Sequence, residues 1–275
     1  MSRPARLVVL VLLLAVVVLG ALIAARGRQP ARSAADLVVY APCGMTNPIG
    51  AAASLFRQSH PDTNLNIVYD NAVVLVRKIR RGDRPDVFIS PGEVEMRQLV
   101  EEGYVEADTV HDFGTLDLVV FAPRATRDLD TVDDLKQPHI KRISLAKPDL
   151  NSVGYYAQES LTGLGLWSDL APKIFLQEFP LDAVTMVTDG VVDAGITYLT
   201  CPLDTAPEKA DKSEVRIVAT LPRDSYPPVR CQVGVLRANN DRPVARLFAD
   251  FMISDQAQQA IEDNGLLPAE EIEPR

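Results

Sequence analysis

The sequence predicts an α/β protein in which two similar sets of elements each form a mainly parallel sheet flanked by helices. Short apolar strands alternate with helices of about ten residues, which is the pattern of β–α–β units. The 275 residues, 47% hydrophobic and 24% charged, are enough for one large or two medium domains. Because helices follow the second set of elements, we expect two lobes and more than one crossing between them.

Residues 1–36 carry information on where the protein is located in the cell and come before the folded part of the chain. Residues 7–25 form an uncharged apolar stretch of 19 residues behind a basic start. Spanning a membrane takes roughly 20 residues, whereas the apolar region of a secretory signal is about 7–15 residues long. The length therefore favours an uncleaved membrane anchor, while the small residues Ala21, Ala24 and Ala25 leave a cleaved signal peptide open. Either interpretation predicts an exported protein on the periplasmic or extracytoplasmic side, with residues 26–36 as a linker.

The charge distribution argues against one class of partner. Five of the 28 basic residues lie within residues 1–32, which contain no acid, so the remaining 243 residues carry 23 basic and 37 acidic side chains. A body with a net charge of −14 has no basic stripe to neutralise phosphates. We therefore expect no nucleic-acid partner.

The first elements follow from local patterns. Thr46 or Asn47 can cap a helix whose first turn contains Pro48. The run from Ser90 to Glu93 resembles a capping box with proline at the first helical position. The predicted strands are Leu37–Tyr40, Leu65–Tyr69 and Asp86–Ile89, and the helices run from Thr46 to Ser59, from Val73 to Arg81 and from Ser90 to Glu102.

The second set repeats the alternation and ends in two helices. The predicted strands are Asp117–Ala122, Ile143–Ala146, Ala194–Tyr198, Arg216–Ala219 and Cys231–Arg237. The predicted helices are Thr131–Leu135, Asn151–Leu161, Leu181–Thr188, Arg242–Ile253 and Gln256–Asn264. Helices that start directly after strands present unpaired N–H groups at the carboxyl edge of a sheet, where an oxyanion can bind.

Seven strings, in order, resemble periplasmic molybdate-binding proteins over residues 37–267. They are VYAPCGMTN from Val39, RPDVFIS from Arg84, LVVFAP from Leu118, AKP from Ala146 with GYYA from Gly154, GITY from Gly195, VATLPRDS from Val218, and the closing helices. The resemblance implies a type II periplasmic binding protein with a ligand cleft between two lobes. One lobe would comprise residues 37–116 and 232–275, and the other residues 117–231, with two crossing strands as the hinge.

The resemblance also implies a function and a set of ligand-binding positions. The protein would be a monomeric solute-binding protein of an ABC transporter, without cofactor or enzymatic activity, which holds a molybdate-like oxyanion and docks on a membrane permease. The implied ligand-binding residues are Cys43, Gly44, Met45, Thr46, Asn71, Ala72, Ser90, Ser152, Val153, Pro180 and Tyr198.

Two of these positions depart from the family. Gly44 and Ala72 stand where the family has serine hydroxyls that donate to the oxyanion, whereas the cleft tyrosine is kept as Tyr198. Two lost hydrogen bonds to a charged group cost together roughly 3–6 kcal/mol. Backbone N–H groups would have to hold the anion instead.

The three cysteines support alternatives. With Met45, the thiols of Cys43, Cys201 and Cys231 form a soft ligand set suited to Cu(I), Zn or arsenite, and would make the protein a metal or metalloid binder or sensor. A Cys201–Cys231 disulfide, which would close a loop of about 30 residues and contribute about 3 kcal/mol, competes with that interpretation, as do inert thiols. A third class, an enzyme on this scaffold, lacks an acid–base constellation.

Two pairs of polar residues could serve catalysis or hard-metal binding, but each has a simpler interpretation. Asp70 with Asn71 is interpreted as a solvated turn, in which Asn71 is the predicted ligand donor. Glu93 with Glu95 is interpreted as a helix cap followed by an exposed helix face.

Overall fold

The computed structural model describes residues 33, 35–203, 215–239 and 241–269. The predicted anchor at residues 7–25 lies outside this range. Among the residues described, no helix is long and apolar enough to cross a membrane.

The first sheet has five strands in the order β2-β1-β3-β10-β4. The strands are β1 (Asp36–Pro42), β2 (Asn64–Asp70), β3 (Val87–Ser90), β4 (His111–Thr115) and β10 (Arg230–Val235). Strands β1 and β3 are parallel, with Val39 beside Val87, while β10 runs antiparallel to both of its neighbours, β3 and β4.

The second sheet has the order β7-β6-β8-β5-β9. Its strands are β5 (Leu118–Pro123), β6 (Ile143–Ala146), β7 (Ile174–Gln177), β8 (Ala194–Tyr198) and β9 (Val215–Thr220). Strand β6 is parallel to β7 and β8, and β5 is antiparallel to β8 and β9. Each sheet therefore contains a strand opposed to its neighbours, and that strand is reached by a crossing from the other sheet.

The two crossings lie side by side. One joins Thr115 to Leu118 and the other joins Thr220 to Arg230, and the N–H of Leu116 donates to the carbonyl of Val229 at 3.3 Å. Strand β10 pairs with β4 from Arg230 onward.

Helices cover both sheets. They are α1 (Thr46–Ser59), α2 (Ala72–Arg80), α3 (Glu93–Glu101), α4 (Ser152–Gly163), α5 (Trp167–Leu170), α6 (Pro180–Thr188), α7 (Thr200–Leu203), α8 (Pro243–Met252) and α9 (Asp255–Glu262). Helices α8 and α9 return to the first sheet, where α9 packs on α1 and β4, and α8 on β10. We call the first sheet with α1–α3, α8 and α9 the first half, and the second sheet with α4–α7 the second half.

Two close contacts hold neighbouring elements together, one in each half. Buried Asp86 accepts the N–H of Val38 at 2.7 Å and pairs with Arg242, which joins β1 to the returning C-terminal segment. In the second half, a Cβ built on Gly154 would lie 2.3 Å from the carbonyl oxygen of Ala146. Glycine thus lets α4 begin directly against the end of β6.

The structure corrects the predicted start of α3. Ser90 is the last residue of β3, and its hydroxyl donates to the carbonyl of Gly92. The helix begins at Glu93 after an extended Gly92, so the predicted capping box is wrong. Likewise, α1 begins at Thr46 without a side-chain cap.

Candidate functional site

The two halves meet at the carboxyl ends of their strands. The turn Cys43–Met45 follows β1 and packs against α7, and α3, which follows β3, packs against α4. In an α/β sheet this edge is where ligands bind. The candidate site therefore lies between these turns and helix starts.

The two halves approach each other closely at Gly92. A Cβ built on Gly92 would lie 2.5 Å from Ser152 Cβ and 3.1 Å from the hydroxyl oxygen of Tyr198. The backbone of Gly92 is extended, a conformation open to any residue, so the requirement for glycine is one of space.

Glu95 spans the boundary between the halves. Its side chain, on α3, accepts the backbone N–H of Ser152 at 3.0 Å and also accepts the hydroxyl of Ser152. Ser152 is the first residue of α4, where backbone N–H groups lack partners inside the helix and the helix dipole is positive. The carboxylate of the first half thus occupies the N-terminus of a helix of the second half.

The interpretation of Glu95 as part of an exposed helix face is therefore wrong. Only 2% of Glu95 is exposed, because α3 packs on β3 and β10 with one face and on α4 with another. The sequence of α3 signals only the first face, through Val94, Met96 and Leu99.

Burial also sets the ionisation of these groups. Desolvation raises the pKa of Glu95 above its ordinary value of 4.5, and the hydrogen bonds from Ser152 oppose this rise. Burial, followed by the nearby Glu95 charge, raises the pKa of Tyr198 well above its ordinary value. Tyr198 is therefore a neutral hydrogen-bond donor at neutral pH.

Three hydroxyl groups at the end of β8 are buried without hydrogen-bond partners in the described part of the chain. They belong to Thr197, Tyr198 and Thr200. Only 3% of Tyr198 is exposed, and its hydroxyl lies beside Ser152 at the Gly92 contact. A buried polar group left unpaired costs about 1–3 kcal/mol, so this hydroxyl is suited to a ligand.

Gly44 is matched to Cys201 across the boundary. A Cβ built on Gly44 would lie 2.7 Å from Cys201 Sγ. The sulfur atom therefore occupies space that any side chain at position 44 would need. This contact gives a structural reason why the first turn carries no serine hydroxyl.

Several predicted residues contribute little through their side chains. Met45 and Val153 are buried in the hydrophobic core, whereas Thr46 is exposed and its hydroxyl donates to the Cys43 carbonyl at 2.7 Å. Asn71 and Ala72 stand at the start of α2 without a side-chain cap.

The two residues that precede Pro180 contact the first half. Pro180 is the first residue of α6. Arg77 on α2 forms an ion pair with Glu178 at 2.5 Å, and its guanidinium lies 5.7 Å from the centroid of the Phe179 ring.

The cysteines do not form the predicted disulfide. Cys201 and Cys231 are thiols, so the Cys201–Cys231 disulfide is not formed. Cys231 is buried, its pKa is raised by that burial, and its S–H donates to the Pro91 carbonyl at 3.7 Å. Within the described ranges, no group of three or more His, Cys, Asp or Glu side chains could hold a metal ion. The soft-metal interpretation with Cys43, Met45, Cys201 and Cys231 stays a prediction.

Two α/β halves, two adjacent crossings and a polar site between them define a type II periplasmic binding protein. The chain belongs to the bacterial extracellular solute-binding protein family, whose model matches residues 37–267. This confirms the resemblance stated from the sequence.

Relatives support the same assignment. The chain is 27% identical over 236 residues to the molybdate-binding protein ModA of Escherichia coli K12, covering 83% of this chain and 88% of that protein. The fold matches the periplasmic molybdate-binding protein of Azotobacter vinelandii with a TM-score of 0.69 at 19% identity, covering 87% and 100% of the two chains. The sulfate-binding protein SubI of Mycobacterium tuberculosis also matches with a TM-score of 0.69, at 16% identity, covering 86% of this chain and 88% of that one. These three proteins bind molybdate or sulfate.

The contact between Gly44 and Cys201 gives the first testable prediction. We expect Gly44→Ser to lower the free energy of unfolding by about 1–3 kcal/mol, because its side chain would press on the sulfur. Cys201→Ala should relieve most of that loss in the double variant. Urea denaturation of both single variants and the double variant measures the effect. An equal loss with and without Cys201→Ala would contradict this steric account.

The buried carboxylate gives a second prediction, on pH. Because the folded-state pKa of Glu95 is raised, its contribution to stability is full below about pH 4.5 and is lost as the pH rises through the raised value. Glu95→Gln keeps acceptor and donor atoms for Ser152 but does not titrate. We expect the stability of Glu95→Gln relative to the unsubstituted protein to increase between about pH 4.5 and pH 8.

Urea denaturation across this pH range tests the prediction. Glu101→Gln is the matched control, because Glu101 lies on the same helix but is exposed. A stability difference for Glu95→Gln that does not change with pH would contradict the assignment.

Proposed function

We propose that this protein is the solute-binding component of an ABC importer and binds a small oxyanion between its two halves. The observation that carries the proposal is the buried, unpartnered hydroxyl of Tyr198 beside the first turn of α4. Molybdate is the ligand named for the ModA relative. An oxyanion is also the ligand that a helix N-terminus attracts most directly.

The donors available to such a ligand come from several elements. The first turn of α4 offers the backbone N–H groups that follow Ser152, whose own N–H and hydroxyl donate to Glu95, and β8 offers the Tyr198 hydroxyl. Gly44 and Ala72 stand at the positions of the family's two serine hydroxyls and can offer a ligand only their backbone groups. The proposed site therefore has fewer hydroxyl donors than the site of the family pattern.

We propose that ligand binding stabilises the closed form of the cleft. Contacts already cross it, including Tyr156 to Glu93 at 3.3 Å and Arg77 to Glu178 at 2.5 Å. A ligand that touches both halves stabilises the closed arrangement, which a permease can then distinguish from the open one. The lobe boundaries at 116/117 and 231/232, the monomeric state and the extracytoplasmic tether at residues 7–25 belong to this proposal.

Tyr198→Phe tests the site. A hydrogen bond to a charged ligand contributes about 1.5–3 kcal/mol, so we expect oxyanion affinity to fall roughly ten- to a hundredfold. Calorimetric titration with phosphate, arsenate, sulfate, molybdate and tungstate measures it. Tyr104→Phe, in the separate hydrophobic cluster with Val105 and Leu236, is the matched control. An unchanged affinity in Tyr198→Phe would place the ligand elsewhere.

A further inference from the structure

The buried carboxyl group of Glu95 bridges the two halves. It lies on α3 of the first half, and its two oxygens meet different groups of Ser152 in the second half. Oε1 accepts the backbone N–H at 3.0 Å, and Oε2 contacts the hydroxyl oxygen. Only 2% of Glu95 is exposed. Separation of α3 from α4 would therefore break both hydrogen bonds and return the carboxyl group to water.

We propose that Glu95 is a proton-dependent latch, which holds the halves together when its carboxyl group is protonated and favours the open cleft when the proton is lost. Closing then takes up one proton, and a ligand that stabilises the closed form binds more weakly as the pH rises. This inference rests on the closure of the cleft in the proposed function, but it does not depend on which solute is bound.

The surroundings of Glu95 offer no full positive charge to its ionised form. In the part of the chain that the structure describes, Glu95 forms no ion pair, and its hydrogen-bond partners on other residues are the two groups of Ser152. Arg97, on the same helix, is exposed. The basic side chains on the elements packed against α3 pair with other acids: Arg77 with Glu178, Lys78 with Asp70, Arg80 with Glu102, and Arg230 with Asp112 and Glu93.

The other titratable groups around Glu95 are neutral or acidic. Burial raises the pKa of Tyr156, Tyr198 and Cys231, so all three are neutral at neutral pH. Glu93 brings a second acidic group, and strand β3 carries no titratable side chain. These neighbours make the ionised form of Glu95 costly, in agreement with the pKa of Glu95, which desolvation raises above its ordinary value.

The two oxygens of Glu95 face groups that suit a protonated carboxyl group. Oε1 faces an N–H, which can only donate, whereas Oε2 faces a hydroxyl, which can accept as well as donate. A neutral carboxyl group therefore accepts the Ser152 N–H with one oxygen and donates its proton to the Ser152 hydroxyl with the other. Both oxygens are then paired, whereas the ionised form buries a charge without a counter-ion.

The direction of the pH effect follows from the exposure of Glu95 in the two forms. In the open form the carboxyl group is in water and has its ordinary pKa of 4.5, whereas burial raises the pKa in the closed form. Closure is therefore most favoured below about pH 4.5 and weakens as the pH rises through the raised value. Because one proton is linked to closure, the change is at most about tenfold per pH unit.

Amide hydrogen exchange of the complete chain, without added ligand, tests the latch from about pH 5 to about pH 9. The exchange rate in the first turn of α4 is divided by the rate in α9, which packs on α1 and β4 within the first half, so that the pH dependence of the exchange chemistry cancels. We expect this ratio to rise with pH, by about tenfold or more over the range. Glu95→Gln mimics the protonated form and should give a constant ratio. Glu101→Gln, an exposed change on the same helix, should behave like the unsubstituted protein.

Calorimetric titration with sulfate, which stays fully ionised over this pH range, links the latch to ligand binding. We expect the affinity for sulfate to fall as the pH rises, by at most about tenfold per pH unit, in the unsubstituted protein and in Glu101→Gln. The affinity of Glu95→Gln should not change with pH.

The outcomes separate the latch from the proposed ligand class. An exchange ratio that does not change with pH, or that changes equally in Glu95→Gln, contradicts the latch. Failure of sulfate and of the other oxyanions to bind contradicts the proposed ligand class, while the exchange ratio, which needs no ligand, still decides the latch. If Glu95→Gln does not fold, a constant ratio in the unsubstituted protein contradicts the latch and a rising ratio supports it.

Discussion

The contact between the Glu95 carboxylate and the first turn of α4 is the interaction on which the cleft depends. A buried carboxylate is costly unless it is hydrogen bonded, and a helix N-terminus has N–H groups that need acceptors. Each group supplies what the other lacks, and they come from different halves of the protein. The pairing therefore joins the two halves at the candidate site. Gly92 and Gly44 permit this approach, since a Cβ at either position would collide across the boundary.

The sequence was sufficient to predict most of the fold, because most strands are short apolar runs followed by recognisable helix starts. Strand β4 (His111–Thr115) was missed because its residues HDFGT do not alternate between apolar and polar positions. Strand β7 (Ile174–Gln177) was missed because it is only four residues long and lies at a sheet edge, where two of its residues are exposed. Both strands are defined by pairing with distant partners, which local patterns do not encode.

The candidate site divides in the same way. Ser152 and Tyr198 could be named from family resemblance, and Gly44 and Ala72 could be recognised as missing hydroxyl donors. The burial of Glu95 could not be predicted, because α3 shows one apolar face and the second buried face depends on a helix that begins 57 residues later. The match between Gly44 and Cys201 was hidden for the same reason. The sequence suggested a Cys201–Cys231 disulfide, whereas the structure places Cys231 in the core and Cys201 beside the first turn at Gly44.

A double-mutant cycle between Glu95→Ala and Ser152→Ala tests the central claim most directly. Residues that contact each other in one hydrogen-bond network show coupling free energies of about 0.5–3 kcal/mol, whereas independent sites are additive within about 0.3–0.5 kcal/mol. If Glu95 joins the halves through Ser152, urea denaturation of the four proteins should give a coupling of about 1 kcal/mol or more. Additive effects of the two substitutions would contradict the account.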